Sequence, residues 1–562
     1  MLNNNSFKYI FYVISLLFFS TVSEAAEAGP QAAGSWLAIL PPLFTIAVAL
    51  ITKRVVPALF LGIWMGAWII NDFGLGGLGK ALLDTFQVFV ANALSNPDHS
   101  AIVLFSMMVG GMVGIISRNG GMQGIVNHIV RWADSARHAC VATASLGLAI
   151  FFDDYANTLV VGNTMRPVTD SMRVSRAKLA YIVDSTAAPV ACIAVVTTWI
   201  GYEIGLIGDS LSKMEGLDTE AYLLFLNTLP YSFYPVMAIA FVFMVSITGR
   251  DFGPMLEAER HALAHGSENP AIDRASNEEA ESIAPVDGKP QRAFNAYIPV
   301  AVMVLGVVVG LYVTGREGLG DVSDPTLKDI IGNANSYTAL MWASLASMMS
   351  AALLSLVQRL MDLEEVVNAW YHGVRAILMA MIILILAWSL GEITDILKTA
   401  DLLVSVLGDS IPTFILPAMV FLLAAATAFA TGSSWGAMGI LFPLVMPLTW
   451  AVLVAQGQAD AEHMHILYSA ISAILAGAVW GDHCSPISDT TILSSLASGC
   501  DHIEHVRTQL PYAMTVGATA ILVGSILTAL GSPWWLGMAL GLIILWLILN
   551  ILGKPASTFP DG

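Results

Sequence analysis

The chain has 562 residues, 56% of them hydrophobic, with a mean hydropathy of +0.72. Only 12% are charged, against about 25% in an ordinary soluble domain, so a soluble globule of this size is excluded. A formal net charge of -18 leaves no basic surface for phosphate and argues against nucleic acid as a partner.

The apolar residues fall in blocks of about 16 to 22, long enough to cross roughly 30 Å of hydrocarbon. An all-α polytopic membrane protein is expected, with the lipid bilayer as its surroundings. Residues 1-25 read as a signal peptide: Lys8, an apolar stretch from Tyr9 to Phe19, then Ser23-Glu24-Ala25 as a small-x-small cleavage pattern. Its removal leaves the mature N-terminus outside. Helices are then expected at 36-51, 55-71 and 101-117, and two half-length apolar segments flank a polar turn at 139-165. Further spans follow at 179-206, 229-248, 296-314, 336-357 and 376-391. A second interrupted pair lies at 412-455, and the last spans at 465-498, 512-531 and 533-552. Cys140, Cys192, Cys484 and Cys500 have neither metal nor disulfide spacing and read as small core residues.

Cytoplasmic loops retain Lys and Arg, which fixes the sidedness. Arg118, Arg131 and Arg137 precede the segment at 139-165, and Arg166, Arg173, Arg176 and Lys178 follow it. Both flanks want the cytoplasm, so this segment enters and returns as a re-entrant hairpin. The outside loops are acidic, with Asp209 and Glu220 in one and Asp460 and Glu462 in another. The stretch 249-295, rich in Glu, Ala, Ser and Pro, reads as a solvated cytoplasmic linker between two halves.

The pair at 412-455 then enters from the opposite side. The division is a first transmembrane repeat half at 36-248, a second at 296-531, and a C-terminal transmembrane helix at 533-552. The halves echo each other. Phe152-Asp153-Asp154-Tyr155 precedes Pro167 much as Gly432-Ser433-Ser434-Trp435 precedes Pro447. After each hairpin comes a proline-broken helix, Asp184-Ser185-Thr186-Ala187-Ala188-Pro189 in one half and Gly481-Asp482-His483-Cys484-Ser485-Pro486 in the other. An inverted-topology repeat with two re-entrant hairpins and two broken helices is the build of a secondary transporter, whose polar interruptions converge on one site.

An ionised side chain at the bilayer centre costs about 2.5 to 3.5 kcal/mol on insertion scales. Asp153, Asp154, Asp184, Asp482 and Asp489 all lie in membrane-depth segments. Protons neutralise such groups, and so does a hard cation that takes oxygen ligands, which is the minimal requirement for proton/cation exchange. Asn157 and Thr158 follow Asp153 and Asp154 at i+4 and share their helix faces. Ser185, Thr186, Ser433, Ser434, Ser485, Ser488 and Thr490 supply neutral oxygens.

Plainer roles stand beside these. One of Asp153 and Asp154 is expected to cap the hairpin turn while the other serves transport. Asp184 has Arg166 and Lys178 as salt-bridge partners within reach in sequence. His483 is either a proton carrier or a packing histidine. Asp482-His483-Cys484 is no transition-metal site, because consecutive helical residues point about 100° apart. Glu203 and Glu392 lie at span ends, where snorkelling to water is expected.

Phe151-Phe152-Asp153-Asp154-Tyr155-Ala156-Asn157-Thr158, the Asp184-Ser185-Thr186-Ala187-Ala188-Pro189 run, and above all Gly481-Asp482-His483-Cys484-Ser485-Pro486-Ile487-Ser488-Asp489-Thr490-Thr491 resemble the NhaC-type Na+/H+ antiporters of the ion transporter superfamily. The resemblance covers roughly 36-531. It implies Na+ as the cation, elevator-like motion of a transport domain against a scaffold, and commonly a homodimer. Relatives also exchange organic anions, such as malate with protons against lactate with Na+.

The expected function is a Na+/H+ antiporter of the bacterial inner membrane, not an enzyme, with Na+ and H+ as transported ions and no cofactor. The alternative is a Na+- or H+-coupled exchanger or symporter of an organic solute, a carboxylate or amino acid.

Overall fold

A computed structural model describes residues 35-557, apart from 72, 75, 215, 218, 267-284, 287, 321-324, 327-329, 332 and 408-411. The expected signal peptide at 1-25 lies outside the described residues. Within them the chain is helical almost throughout, the form that satisfies every backbone polar group without water. Nine described helices are long and apolar enough to cross a membrane. A tenth candidate is the pair Ala221–Tyr231 and Phe233–Thr248, bent by 50°. The protein is an all-α, multi-pass membrane protein.

Two helices run well past their expected bounds. Leu363–Ile396 has 34 residues and starts at a capping box between Asp362 and Glu365, upstream of the apolar run at 376. The His502–Thr519 helix begins ten residues before the expected span, and its polar first turns reach the interior. Several helices were not expected, among them Gly121–Ile129, Thr399–Leu407 and the run Gly77–Asp84, Thr85–Val90 and Ala91–Ser95, where Lys80, Asp84 and Asn92 interrupt the apolar residues.

The first hairpin consists of Ala136–Ala149 and Asp154–Ser171, the second of Leu416–Thr431 and Ser434–Ala455. In both, an extended residue caps the returning arm with its side chain: Asp153 accepts from the Ala156 N–H at 2.7 Å, Ser433 from that of Gly436 at 3.2 Å. The arms of the second pair are themselves of crossing length, so re-entry there rests on the sidedness of Lys and Arg, not on short arms. The helices after the hairpins are broken where expected, Arg176–Ser185 from Ala188–Ile193 and Met464–Cys484 from Asp489–Ser498.

Each hairpin is seated on the break that follows it. A Cβ at Gly147 would stand 2.1 Å from Thr186 Oγ1. At Gly432, whose φ of +68° suits glycine, it would stand 2.3 Å from the Ile487 carbonyl. The Asp489–Ser498 segment packs on Asp154–Ser171 and Arg176–Ser185, so the second break is seated beside the first hairpin and the first break. Leu363–Ile396 packs against Pro97–Arg118, Val55–Ile70 and Ser434–Ala455. Phe294–Leu319 and Ser336–Val357 form the periphery, 33% buried, against 78% for Ser434–Ala455 and Met464–Cys484.

The start of the 249-295 stretch is not the solvated linker expected. Arg250 and Asp251 pair with Lys554 and Pro555 in a two-residue antiparallel bridge, and the Gly253–His265 helix packs on Arg176–Ser185 and His502–Thr519. Lys178 causes this. Its ammonium is buried, donates to Asp251 at 2.6 Å and lies 3.7 Å from Glu259. A buried cation needs such partners, and Asp251 is held further by the Tyr512 hydroxyl at 2.8 Å. The four cysteines are all free and buried.

Candidate functional site

The tip of the first hairpin separates its two acids. Asp153 is the cap just described. Asp154, in the first turn of its helix where the helix dipole favours an anion, is 1% exposed, and neither carboxylate oxygen has a hydrogen-bond partner. One turn on, Asn157 donates from Nδ2 to the carbonyls of Gly147 (2.8 Å), Ile150 (3.2 Å) and Thr186 (3.0 Å). That ties the hairpin turn to the helix break and leaves Asn157 Oδ1, like Thr158 Oγ1, buried without a partner.

Asp184 and Asp482 occupy similar places, each in the last turn of a helix before its break. Carboxylates at helix C-termini stand among unpaired carbonyls, an arrangement that favours a cation. Asp184, fully buried, accepts from Gln509 Nε2 (2.6 Å), Thr491 Oγ1 (3.2 Å) and Ser494 Oγ (3.2 Å), with His505 Nε2 at 4.0 Å. Lys178, a partner that spacing offered, is spent on Asp251 and Glu259. Asp482 accepts from Thr490 Oγ1 at 2.8 Å and keeps Oδ1 unpartnered. Thr491 links the pair by also reaching the Asp482 carbonyl at 3.4 Å, and Asp154 lies within electrostatic reach of Asp482.

The remaining expected residues take supporting positions. His483 has both nitrogens engaged, Nδ1 with the Tyr234 hydroxyl (2.9 Å) and Nε2 with the Asp184 carbonyl (3.1 Å), as a packing histidine does. Thr186 donates to Ile182 O (2.8 Å) and Ser485 to Phe429 O (2.7 Å). Ser488 caps Asp489–Ser498 and lies 3.1 Å from Thr490 Oγ1. Ser185, at the first break, and Ser434, at the tip of the second hairpin, are both buried. Asp489 departs from expectation: as the first residue of its helix it turns outward, is exposed, and senses Arg54. Among the described residues no three His, Cys, Asp or Glu side chains gather as a metal site.

Thr491, Ser494, His505 and Gln509 are the residues sequence reasoning missed. Thr491 and Ser494 follow Asp489-Thr490 directly. His505 and Gln509 sit at i, i+4 spacing in a stretch whose charges, Glu504 and Arg507, placed it outside the expected span. Gly481 lets Met464–Cys484 approach the second hairpin closely; a Cβ there would be 2.2 Å from the Ala425 carbonyl.

Between the Asp154–Ser171 arm and the packed pair Pro97–Arg118 and Leu363–Ile396 lies a cavity of about 620 Å³. Asp153 and Tyr155 line it together with Arg118, Asn368 and His372.

A model of the Na+/H+ antiporter family matches residues 190–530. An uncharacterised Haemophilus influenzae protein is 33% identical over 555 residues, 97% of this chain and 99% of its own. The malate-2H+/Na+-lactate antiporter of Bacillus subtilis is 31% identical over 159 residues, 26% of this chain and 29% of the relative. Among solved structures, the YdaH transporter of Alcanivorax borkumensis shares the fold at a TM-score of 0.53 and 13% identity, over 88% of this chain and 99% of that one. The family match spans more than half of the chain and includes Asp482 and its partners; the chain belongs to the Na+/H+ antiporter family, whose members are secondary transporters.

Proposed function

We propose that the protein exchanges Na+ for protons at one shared carboxylate site. The observation that carries the reading is the set of buried oxygens without a protein partner: both of Asp154, one of Asp482, Asn157 Oδ1 and Thr158 Oγ1. Each such atom costs about 1 to 3 kcal/mol if left unsatisfied, and more on an ionised carboxylate. Oxygen atoms alone suit a hard cation such as Na+, and the carboxylates among them take up protons when it leaves. Asp184, held by hydroxyls and an amide, is the second acid of the site. Asp153, Ser433 and Ser488 cap the helices that present it.

In this reading the two hairpins are re-entrant and inverted, and with the broken helices they form the moving domain. Pro97–Arg118 and Leu363–Ile396 belong to the scaffold, and two copies assemble in the bacterial inner membrane with 249-295 in the cytoplasm. Neutralising the acids with either ion allows the crossing, whereas the empty charged state stalls. In vesicles containing a pH-sensitive dye, added NaCl is expected to move protons with the wild type and not with Asp482→Asn. Full activity of that variant would remove Asp482 from the site.

One observation favours a second reading, a Na+- or H+-coupled carrier of a small organic carboxylate or amino acid. A Na+ ion with its first water shell fills roughly 200 Å³. The cavity of about 620 Å³ is the size of a small-molecule site, and Asn368 and His372 on its wall offer hydrogen-bond partners to a polar solute. Uptake of labelled solutes separates the two.

A further inference from the structure

Glu203 sits in the first turn of the Ile200–Leu211 helix and does not reach water, contrary to the snorkelling expected of it. It is fully buried, and neither carboxylate oxygen has a hydrogen-bond partner. A lone carboxylate at this depth is neither a salt bridge nor a cap.

Its position gives it a use. The Glu203 N–H donates to the Trp199 carbonyl, so the two residues are one turn, about 5.4 Å, apart along the helix. The Trp199 indole faces the Asp154 carboxylate without closing a hydrogen bond, and its ring lies 5.2 Å from that of Trp435 on the second hairpin. Immediately before it, the Thr198 N–H donates to the Phe152 carbonyl at 2.9 Å. Glu203 is thus joined to the hairpin tip that carries Asp154, on the side toward which the helix runs to Asp209.

The titratable neighbours leave it free to exchange a proton. On the helices packed around it stand His99, stacked on Trp388 and 3.8 Å from Asp209, Tyr222, bonded to Val195 O, and Glu392 and Asp395. On its own helix stand Tyr202, bonded to Trp435 O, and Asp209. The Ser434–Ala455 helix carries no titratable side chain. None of these groups hydrogen-bonds Glu203.

We propose that Glu203 is a second proton-binding site, separate from the Na+ site, whose protonation is coupled to the Asp154 hairpin tip through the Thr198-Trp199 turn. The proposal rests on the antiport reading. Glu203→Gln is a neutral isostere of the protonated acid, so a merely structural Glu203 would tolerate it. In vesicles, this variant is expected to keep Na+/Na+ exchange while Na+-driven proton movement falls at least about tenfold. Glu203→Asp is expected to restore proton movement with a displaced pH profile. A second measurement uses the wild type alone: an apolar carbodiimide, which reacts with protonated buried carboxyls, is expected to label Glu203 with no protection by Na+, whereas Na+ protects Asp154. Wild-type proton movement in Glu203→Gln, or no labelling of Glu203, overturns the proposal. Absence of Na+-driven proton movement in the wild type overturns the antiport reading and this proposal together.

Discussion

The two hairpin tips have nearly the same backbone and opposite electrostatics. Asp153 (φ -157°, ψ 124°) and Ser433 (φ -149°, ψ 116°) are interchangeable caps, each satisfying the N–H three residues on. At the following position the first half has Asp154 and the second Ser434, both buried. The two tips therefore share a geometry, and only the first carries the charge at this position. A cap can be an acid or a hydroxyl, but only an acid at the next position can trade a proton for a cation.

The largest effect that separates the tips is expected at Asp154. Asp154→Asn should weaken Na+ binding about 10- to 100-fold, the loss of about 1.5 to 3 kcal/mol from one charged oxygen ligand. Asp153→Asn, an equally good cap, should stay close to wild type in the same binding assay. Equal losses from both substitutions would end the distinction between cap and ligand.

Away from the tips, the Lys178 anchor acts on stability and not on ion binding. Lys178→Met leaves Asp251 and Glu259 buried without their cation and should destabilise the protein by about 3 to 5 kcal/mol, read as a lower midpoint in thermal unfolding in detergent. An unchanged midpoint would mean that the Gly253–His265 helix is not clamped. A smaller effect belongs to Gly432→Ala, which forces an alanine to a φ of +68° and against the Ile487 carbonyl. The left-handed conformation alone costs about 1 to 2 kcal/mol. The smallest is Ser433→Ala, the loss of one cap at about 1 kcal/mol with Na+ affinity retained.

Much of this was legible in the sequence because lipid imposes strong rules: apolar runs of crossing length became helices, and prolines with polar clusters marked the breaks. The cap and the ligand at 153 and 154 could not be told apart, because adjacent acids look alike until the backbone assigns one of them the extended conformation. Gln509 was hidden by the charges of Glu504 and Arg507 around it, which disguise a helix whose other face is buried. Asp489 was drawn into the site by its place in a membrane-depth segment, but the break at Ser485–Ser488 resets the helical phase and leaves it exposed. Glu203 was given to solvent by its place at a span end, whereas the packed helices around it seal that end.

The most direct test is equilibrium binding of radioactive sodium to the purified protein across pH. Competition at the shared carboxylates predicts that the apparent Kd rises at least about tenfold per unit as pH falls below the range where the site titrates, and that Asp154→Asn makes this dependence shallower. Sodium binding that ignores pH, or that Asp154→Asn leaves unchanged, would contradict the account.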